Sequence, residues 1–256
     1  MRGLSLSPGP RIVAEAALLA APYIPIAMGN AEKPWLMWAW VVGALALRLI
    51  FLPRARDTWV LAAGIILGGG SDMITVSRGI YAYTATDFLP LDIPGWMILA
   101  WGHIFLFMRS FCALAPLRTR LPSAGRFEGG RVLLLDVATA LALKTSFLLF
   151  ADNPGRAALA GGLVLLVRYG LVRPVIGEVA LILTAVTIGP WVEGRLIASG
   201  LYVYREGVLF GVPLWLVEWW MFVVPSLSRI ALFLDERAAA KGAPLGLLAD
   251  PAMARA

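Results

Sequence analysis

Eight stretches of the sequence are apolar over about the length of a membrane crossing, and short polar segments divide them. They run near residues 12–30, 34–53, 58–78, 93–115, 132–151, 155–173, 175–194 and 209–233. An α-helix rises about 1.5 Å per residue, so roughly 20 mostly apolar residues span the hydrocarbon core of a bilayer. The pattern predicts an all-α polytopic membrane protein with about eight transmembrane helices. The first stretch, with Arg2 and Arg11 ahead of it, has the outline of a signal peptide. It reads as a retained helix because the second half of the chain contains its counterpart.

That counterpart is part of an internal repeat, which emerges when the chain is shifted by about 120 residues. Arg11 falls on Arg131, Glu15 on Asp136, Pro34 on Pro154, Arg48 on Arg168, Pro53 on Pro174 and Asp57 on Glu178. Asp72 then falls on Glu193, and Gly79, Tyr81 and Tyr83 fall on Gly200, Tyr202 and Tyr204. After a two-residue difference in length, Pro94, Trp96 and Trp101 fall on Pro213, Trp215 and Trp220. Fixed-period self-similarity defines a repeated structural unit. Four crossings per unit, an even number, give both copies the same orientation, and in such parallel repeats sites form where the copies meet. The expected organisation is a first four-helix repeat over 1–117, a linker over 118–131, a second four-helix repeat over 132–234 and a loosely ordered tail over 235–256.

Composition agrees with a membrane protein and changes how the charge is read. The chain is 60% apolar and 15% charged, with a mean hydropathy of +0.80, whereas soluble domains are about 45–50% apolar and about 25% charged. The net charge of +6 would suit a nucleic-acid partner, but there is no basic face interleaved with aromatics, so that class is excluded. The basic residues instead sit in loops. With eight crossings, Arg2, Arg11, Arg54, Arg56, Arg118, Arg120, Arg126, Arg131, Arg173, Arg237, Lys241 and Arg255 share one side. Lys33, Arg78, Arg156, Arg195 and Arg205 share the other. Positive charge marks cytoplasmic loops, so both termini are expected to be cytoplasmic, in the cell's inner (plasma) membrane.

Cys112 is the only cysteine and His103 the only histidine. An intrachain disulfide, a bis-histidine haem and a multi-histidine metal centre are therefore ruled out within one chain. No nucleotide, zinc-protease or serine-hydrolase motif is present, and no metal or cofactor is expected.

The candidate chemistry lies in the repeat. Asp72 and Glu193 each follow a long apolar run and precede a G-x-Y-x-Y segment by seven residues. A carboxyl within a membrane helix costs about 2.5–3.5 kcal/mol at the centre on insertion scales, which marks it as a functional candidate. One reading makes Asp72 and Glu193 catalytic acids. The other pairs them with Arg78 and Arg195 as structural ions. Tyr81, Tyr83, Trp96, Trp101, Tyr202, Tyr204, Trp215 and Trp220 either line a substrate pocket or belong to the interfacial aromatic belt. Aromatic faces stabilise cations, so a pocket of these residues around a buried acid suits protonation of an alkene. Glu15 with Arg48, and Asp136 with Arg168, are read as structural pairs. Lys144 and Glu218 are read as having no partner in the other copy, and His103 is also unmatched. His103 and Glu218 are candidates for a proton relay.

These motifs resemble the membrane lycopene cyclases built from two homologous cyclase domains, and the related membrane carotenoid hydratases of the bacterioruberin type. In both families a duplicated helical unit carries an acid, a Gly–aromatic–Tyr segment and a Pro-led helix, and residues 72–101 and 193–220 here are similar to it. Residues 211–215, Gly-Val-Pro-Leu-Trp, are especially similar to the hydratase pattern. The cyclases have paired glutamates just after that proline, where this chain has Trp96 and Trp215. The resemblance implies a long apolar isoprenoid substrate and leaves the reaction open among cyclisation, isomerisation and hydration. The alternative is a non-enzymatic membrane protein on the same scaffold, either a small transporter or a pigment- or partner-binding accessory subunit. The oligomeric state is not legible in the sequence.

Overall fold

The computed structural model describes residues 6–30, 32–54, 56–87, 92–114, 117, 119–121, 130–204 and 207–240, the last six of these by backbone alone. Most of the expected linker over 118–131 and most of the tail over 235–256 lie outside the described residues.

The described chain is almost entirely helical. In order, the helices are α1 (Pro8–Ala20), α2 (Tyr23–Ala27), α3 (Pro34–Phe51), α4 (Asp57–Ser77), α5 (Gly95–Cys112), α6 (Arg131–Leu149), α7 (Pro154–Leu171), α8 (Ile176–Ala198) and α9 (Leu214–Ala240). Six of them are long and apolar enough to cross a membrane: α3, α4, α5, α6, α8 and α9, the last over Leu214–Leu234. An all-α polytopic membrane protein is therefore the architecture.

Two differences from the sequence expectation have local causes. The first expected span, 12–30, is broken into α1 and α2, because Pro22 and Pro25 cannot supply the amide hydrogens that a continuous helix needs. Between α4 and α5, and again between α8 and α9, the chain is extended. Tyr81–Tyr83 forms strand β1 and Tyr202–Tyr204 forms strand β2. The two pair antiparallel, Tyr81 opposite Tyr204, Ala82 opposite Val203 and Tyr83 opposite Tyr202.

The glycine of each G-x-Y-x-Y segment explains how a helix can stop and become a strand there. Gly79 and Gly200 have φ of +66° and +76°, a region that only glycine enters freely. Each ends its helix in the same way. Gly79 N–H donates to Val76 O and Ile80 N–H to Thr75 O, at 2.8 and 3.3 Å; Gly200 N–H donates to Ile197 O and Leu201 N–H to Leu196 O, at 2.9 and 3.1 Å. These bonds satisfy carbonyls that would otherwise be left open at the helix end.

Packing is centred on two helices. In the first half, α1, α3 and α4 pack on α5; in the second, α6, α7 and α8 pack on α9; and α5 and α9 pack on each other. The halves thus meet along α5 and α9 and through the ribbon. Close approach of α4 to α5 rests on glycine. A Cβ on Gly64 would lie 2.8 Å from Gly102 Cα, and one on Gly68 would lie 2.5 Å from the Trp101 ring. Without a hydrophobic force between helices in lipid, small residues at this spacing allow the dispersion contacts that hold them. In the second half Gly189 meets Trp220 in the same manner, at 2.7 Å. A π-helical turn, Ile65–Gly69, interrupts α4 just before Asp72, and Pro190 interrupts α8 just before Glu193.

Buried ions hold the end of the bundle opposite the ribbon. In the first half Glu15 accepts from Arg11 at 2.9 Å and lies 3.4 Å from Arg48, and Asp57 is paired with Arg48 and with Arg109 at 3.2 Å. In the second, Asp136 is paired with Arg168 at 2.7 Å and Arg229 at 2.8 Å, and Glu178 with Arg229 at 2.5 Å. The expected pairs of Glu15 with Arg48 and of Asp136 with Arg168 are present. Asp57, Arg109, Glu178 and Arg229 complete each network.

Candidate functional site

The ribbon places the two acids in one cavity. Side chains alternate across a strand, so all four tyrosines of β1 and β2 project to the same face while Ala82 and Val203 face away and are exposed. The four rings form a box, with neighbouring centroids 5.1 Å apart for Tyr81 and Tyr204, 5.5 Å for Tyr83 and Tyr202, 5.6 Å for Tyr81 and Tyr83, and 5.7 Å for Tyr202 and Tyr204.

The box sits against both carboxyls. Asp72 accepts from the hydroxyls of Tyr81 at 2.5 Å and Tyr83 at 2.9 Å, and from Trp101 Nε1 at 2.8 Å. Glu193 accepts from the Tyr204 hydroxyl at 2.9 Å, with Tyr202 beside it. Burial, and then the charge of the adjacent acid, raise the ionisation of these four tyrosines well above the ordinary value of 10.0. They are therefore neutral O–H donors across the physiological range. The described bonds to Asp72 and Glu193 come from aromatic donors, and Arg78 and Arg195 are exposed, so the ion-pair reading of the two acids is not the arrangement found.

The cavity behind the box has a volume of about 170 Å³. That is close to the roughly 150 Å³ of an apolar cavity that takes benzene, and below the roughly 300–1,000 Å³ of sites that enclose a whole drug-sized ligand. It fits the end of a hydrocarbon chain rather than a whole long one. Its walls are Asp72 and Glu193, the four tyrosines, Trp101, Trp215, Trp219 and Trp220, and aliphatic residues of α5, α8 and α9.

Of the residues singled out in the sequence, Asp72, Glu193, Tyr81, Tyr83, Tyr202, Tyr204, Trp101, Trp215 and Trp220 line this cavity. Three do not. Trp96 is buried in the core beside it, at the first turn of α5, where the Trp38 ring lies 2.7 Å from a Cβ placed on Gly95. His103 is buried toward Arg48, with Nε2 unbonded among the described residues. Glu218 points into the notch at Gly161 and Gly162 of α7. His103 Nε2 and Glu218 Oε2 have no hydrogen-bond partner among the described residues.

The sequence reading missed Tyr23, Ser71, Thr75 and Trp219, which also line the cavity, and it left Lys144 without a role. Thr75 stands three residues after Asp72 and four after Ser71, the helical spacings that make it a neighbour of both. Lys144 donates to Thr75 Oγ1 at 2.8 Å and Ser71 O at 3.5 Å, and its ammonium lies 4.7 Å from the centre of the Trp219 ring. Among the described residues no cluster of three or more histidines, cysteines and acids is placed to hold a metal.

No known protein family matches the chain, and no curated protein matches it. The structure is similar to the crystal structure of a cross-linked MvINS trimer, with a TM-score of 0.51 and 19% identity, over 70% of this chain and 95% of that one. At that identity the likeness is one of fold alone.

Proposed function

We propose that the protein is an integral membrane enzyme of carotenoid or other isoprenoid metabolism that protonates a terminal alkene. The observation that carries this reading is the pairing of two carboxyls with an aromatic box inside one apolar cavity. The carboxyl of Asp72 or Glu193 transfers its proton to the less substituted carbon of the alkene, which leaves a carboxylate and a tertiary carbocation. The faces of the tyrosines and tryptophans steady that cation through their quadrupoles. Return of a proton from a neighbouring carbon to the carboxylate gives an isomer. Attack by a second double bond before that return gives a ring, and capture of water gives an alcohol. Each outcome regenerates the acid, and no cofactor enters the cycle. The cavity's size suits one end of a polyprenoid whose remaining length lies in the bilayer.

The same reading takes the chain as a tandem duplication of a four-helix unit crossing the membrane eight times, with both termini cytoplasmic in the inner membrane. Support comes from the matched acids, glycine caps and ion networks at one near-constant offset, and from the basic residues that gather at the end away from the cavity. The resemblance to the two-domain lycopene cyclases and the carotenoid hydratases supports the substrate class.

The test is a lipid and pigment profile, by chromatography and mass spectrometry, from bacteria supplied with lycopene or shorter polyprenoids. An isomeric product, or one heavier by a water, is expected only with the unaltered chain. General acid catalysis contributes about 10²–10⁴-fold, so Asp72→Asn and Glu193→Gln together should abolish the product at equal protein level. An unchanged profile with folded protein in the membrane would favour transport or pigment binding instead.

A further inference from the structure

The two walls of the cavity are related by one offset yet differ in polarity. Ser71, Asp72 and Thr75 face it from α4, and Val192, Glu193 and Leu196 face it from α8, each exactly matched pair lying 121 positions apart. The third cavity residue behind each acid follows the same rule. Tyr23 lies 121 positions before Lys144 and stands within electrostatic reach of Glu193, whereas Lys144 crosses from α6 to the Asp72 wall. One acid is therefore flanked by a hydroxyl, a second hydroxyl and an ammonium, and the other by two aliphatic side chains and a phenol.

Nothing in the packing requires this difference, since the aliphatic version closes the same space on the other wall. Ammonium in an apolar cavity is costly to bury unless its donors are used. Thr75 is fully buried, and its Oγ1 donates to Ser71 O at 2.6 Å while accepting from Lys144. The Lys144 ammonium thus lines the cavity with two of its three donors bonded to Thr75 and Ser71, and it stands 4.7 Å from the centre of the Trp219 ring.

We infer that Lys144, anchored by Thr75 and Ser71, forms a subsite that binds an acceptor oxygen on the isoprenoid end group, a carbonyl or hydroxyl. The inference rests on the reading that the cavity receives an isoprenoid end. It names the substrate class more narrowly: an oxygenated terpenoid whose oxygen lies on the Asp72 side, with its alkene toward Glu193. Lys144 is a specificity residue in this account.

The test is equilibrium binding to the purified full chain in detergent, read by quenching of tryptophan fluorescence. The probes are geranylacetone, an isoprenoid ketone, and the hydrocarbon of matched length that lacks the carbonyl. A hydrogen bond from a charged donor favours the ketone by about tenfold or more. That preference, taken as the ratio of the two affinities within each protein, is expected in the unaltered chain, reduced in Thr75→Val, and gone in Lys144→Met, which still binds the hydrocarbon saturably. Retained hydrocarbon binding shows that the cavity is intact. Equal affinity for the two probes in the unaltered chain, or a ketone preference that survives Lys144→Met, would overturn the subsite. Binding is read without turnover. A ketone preference without any product formation would sink the catalytic reading and leave the subsite standing, and the reverse result would do the opposite.

Discussion

At the scale of single residues, the account rests on what holds the two acids. Asp72 takes bonds from Tyr81, Tyr83 and Trp101, and Glu193 from Tyr204. The tyrosines give a pH dependence with a definite sign. Their ionisation in the folded protein is raised above the ordinary value of 10.0 by burial and by the neighbouring carboxyls, so the fold favours the neutral phenols. Their contribution to stability is complete below about pH 10 and is lost as the pH rises above that value toward their folded-state ionisation. Thermal unfolding in detergent should show a midpoint that falls above pH 10, and the fall should shrink when Tyr81 and Tyr204 are both replaced by Phe. A midpoint with the same alkaline dependence in the double variant would assign the effect elsewhere. The acids and most of the aromatics were legible in the sequence because the same residue types recur there at a near-constant offset. Trp96 matched Trp215 just as well, yet Trp215 lines the cavity and Trp96 is buried in the core beside it.

At the scale of elements, the ribbon is the joint that turns two helical units into one site. An all-helical expectation had no reason to contain it. Three-residue strands carry no periodic signal long enough to read, and here the tyrosines find their partners 119 and 123 residues away in the chain. The capping glycines were visible in the sequence as part of each G-x-Y-x-Y segment, but not the pairing that follows them. The pairing predicts a cross-link. Directly opposed residues of an antiparallel pair have Cα atoms about 4.5–5.5 Å apart, within the roughly 4.4–6.8 Å that a disulfide bridges. Ala82→Cys with Val203→Cys, in a Cys112→Ala background, should oxidise to an intramolecular disulfide detectable by peptide mass spectrometry. Moving the second cysteine to Leu201 should lower the yield sharply. Comparable yields at both positions would contradict the register.

At the scale of the whole molecule, two centres of order lie at opposite ends of the bundle. Asp57 and Asp72 are fifteen residues apart on α4, about 22 Å at 1.5 Å per residue. The ion networks fix one end, and the acid–aromatic cavity occupies the other. Arg48 and Arg168 are almost without exposure, and each ties its helix to an acid on a neighbouring one, Arg48 to Glu15 and Asp57 and Arg168 to Asp136. Removing one partner of a buried pair leaves an uncompensated charge and costs about 3–5 kcal/mol. Arg48→Met and Arg168→Met should each lower stability by about that amount in detergent unfolding, against less than about 0.5 kcal/mol for Arg78→Met on the surface. Losses of equal size at all three positions would remove the networks from the account. The sequence offered half of each network through its paired offsets. Asp57 with Arg109 and Glu178 with Arg229 escaped because each pair joins helices far apart in the chain, where spacing carries no information.

The central claim is that an acid in this cavity gives its proton to carbon. The direct measurement is deuterium incorporation by purified protein incubated with a polyprenoid in heavy water, followed by mass spectrometry of the recovered lipid. A carbon-bound deuterium at the terminal unit, present with the unaltered chain and absent with Asp72→Asn/Glu193→Gln, is the predicted result. Recovered lipid without carbon-bound deuterium, across lycopene and shorter polyprenoids and with the fold intact, would contradict it.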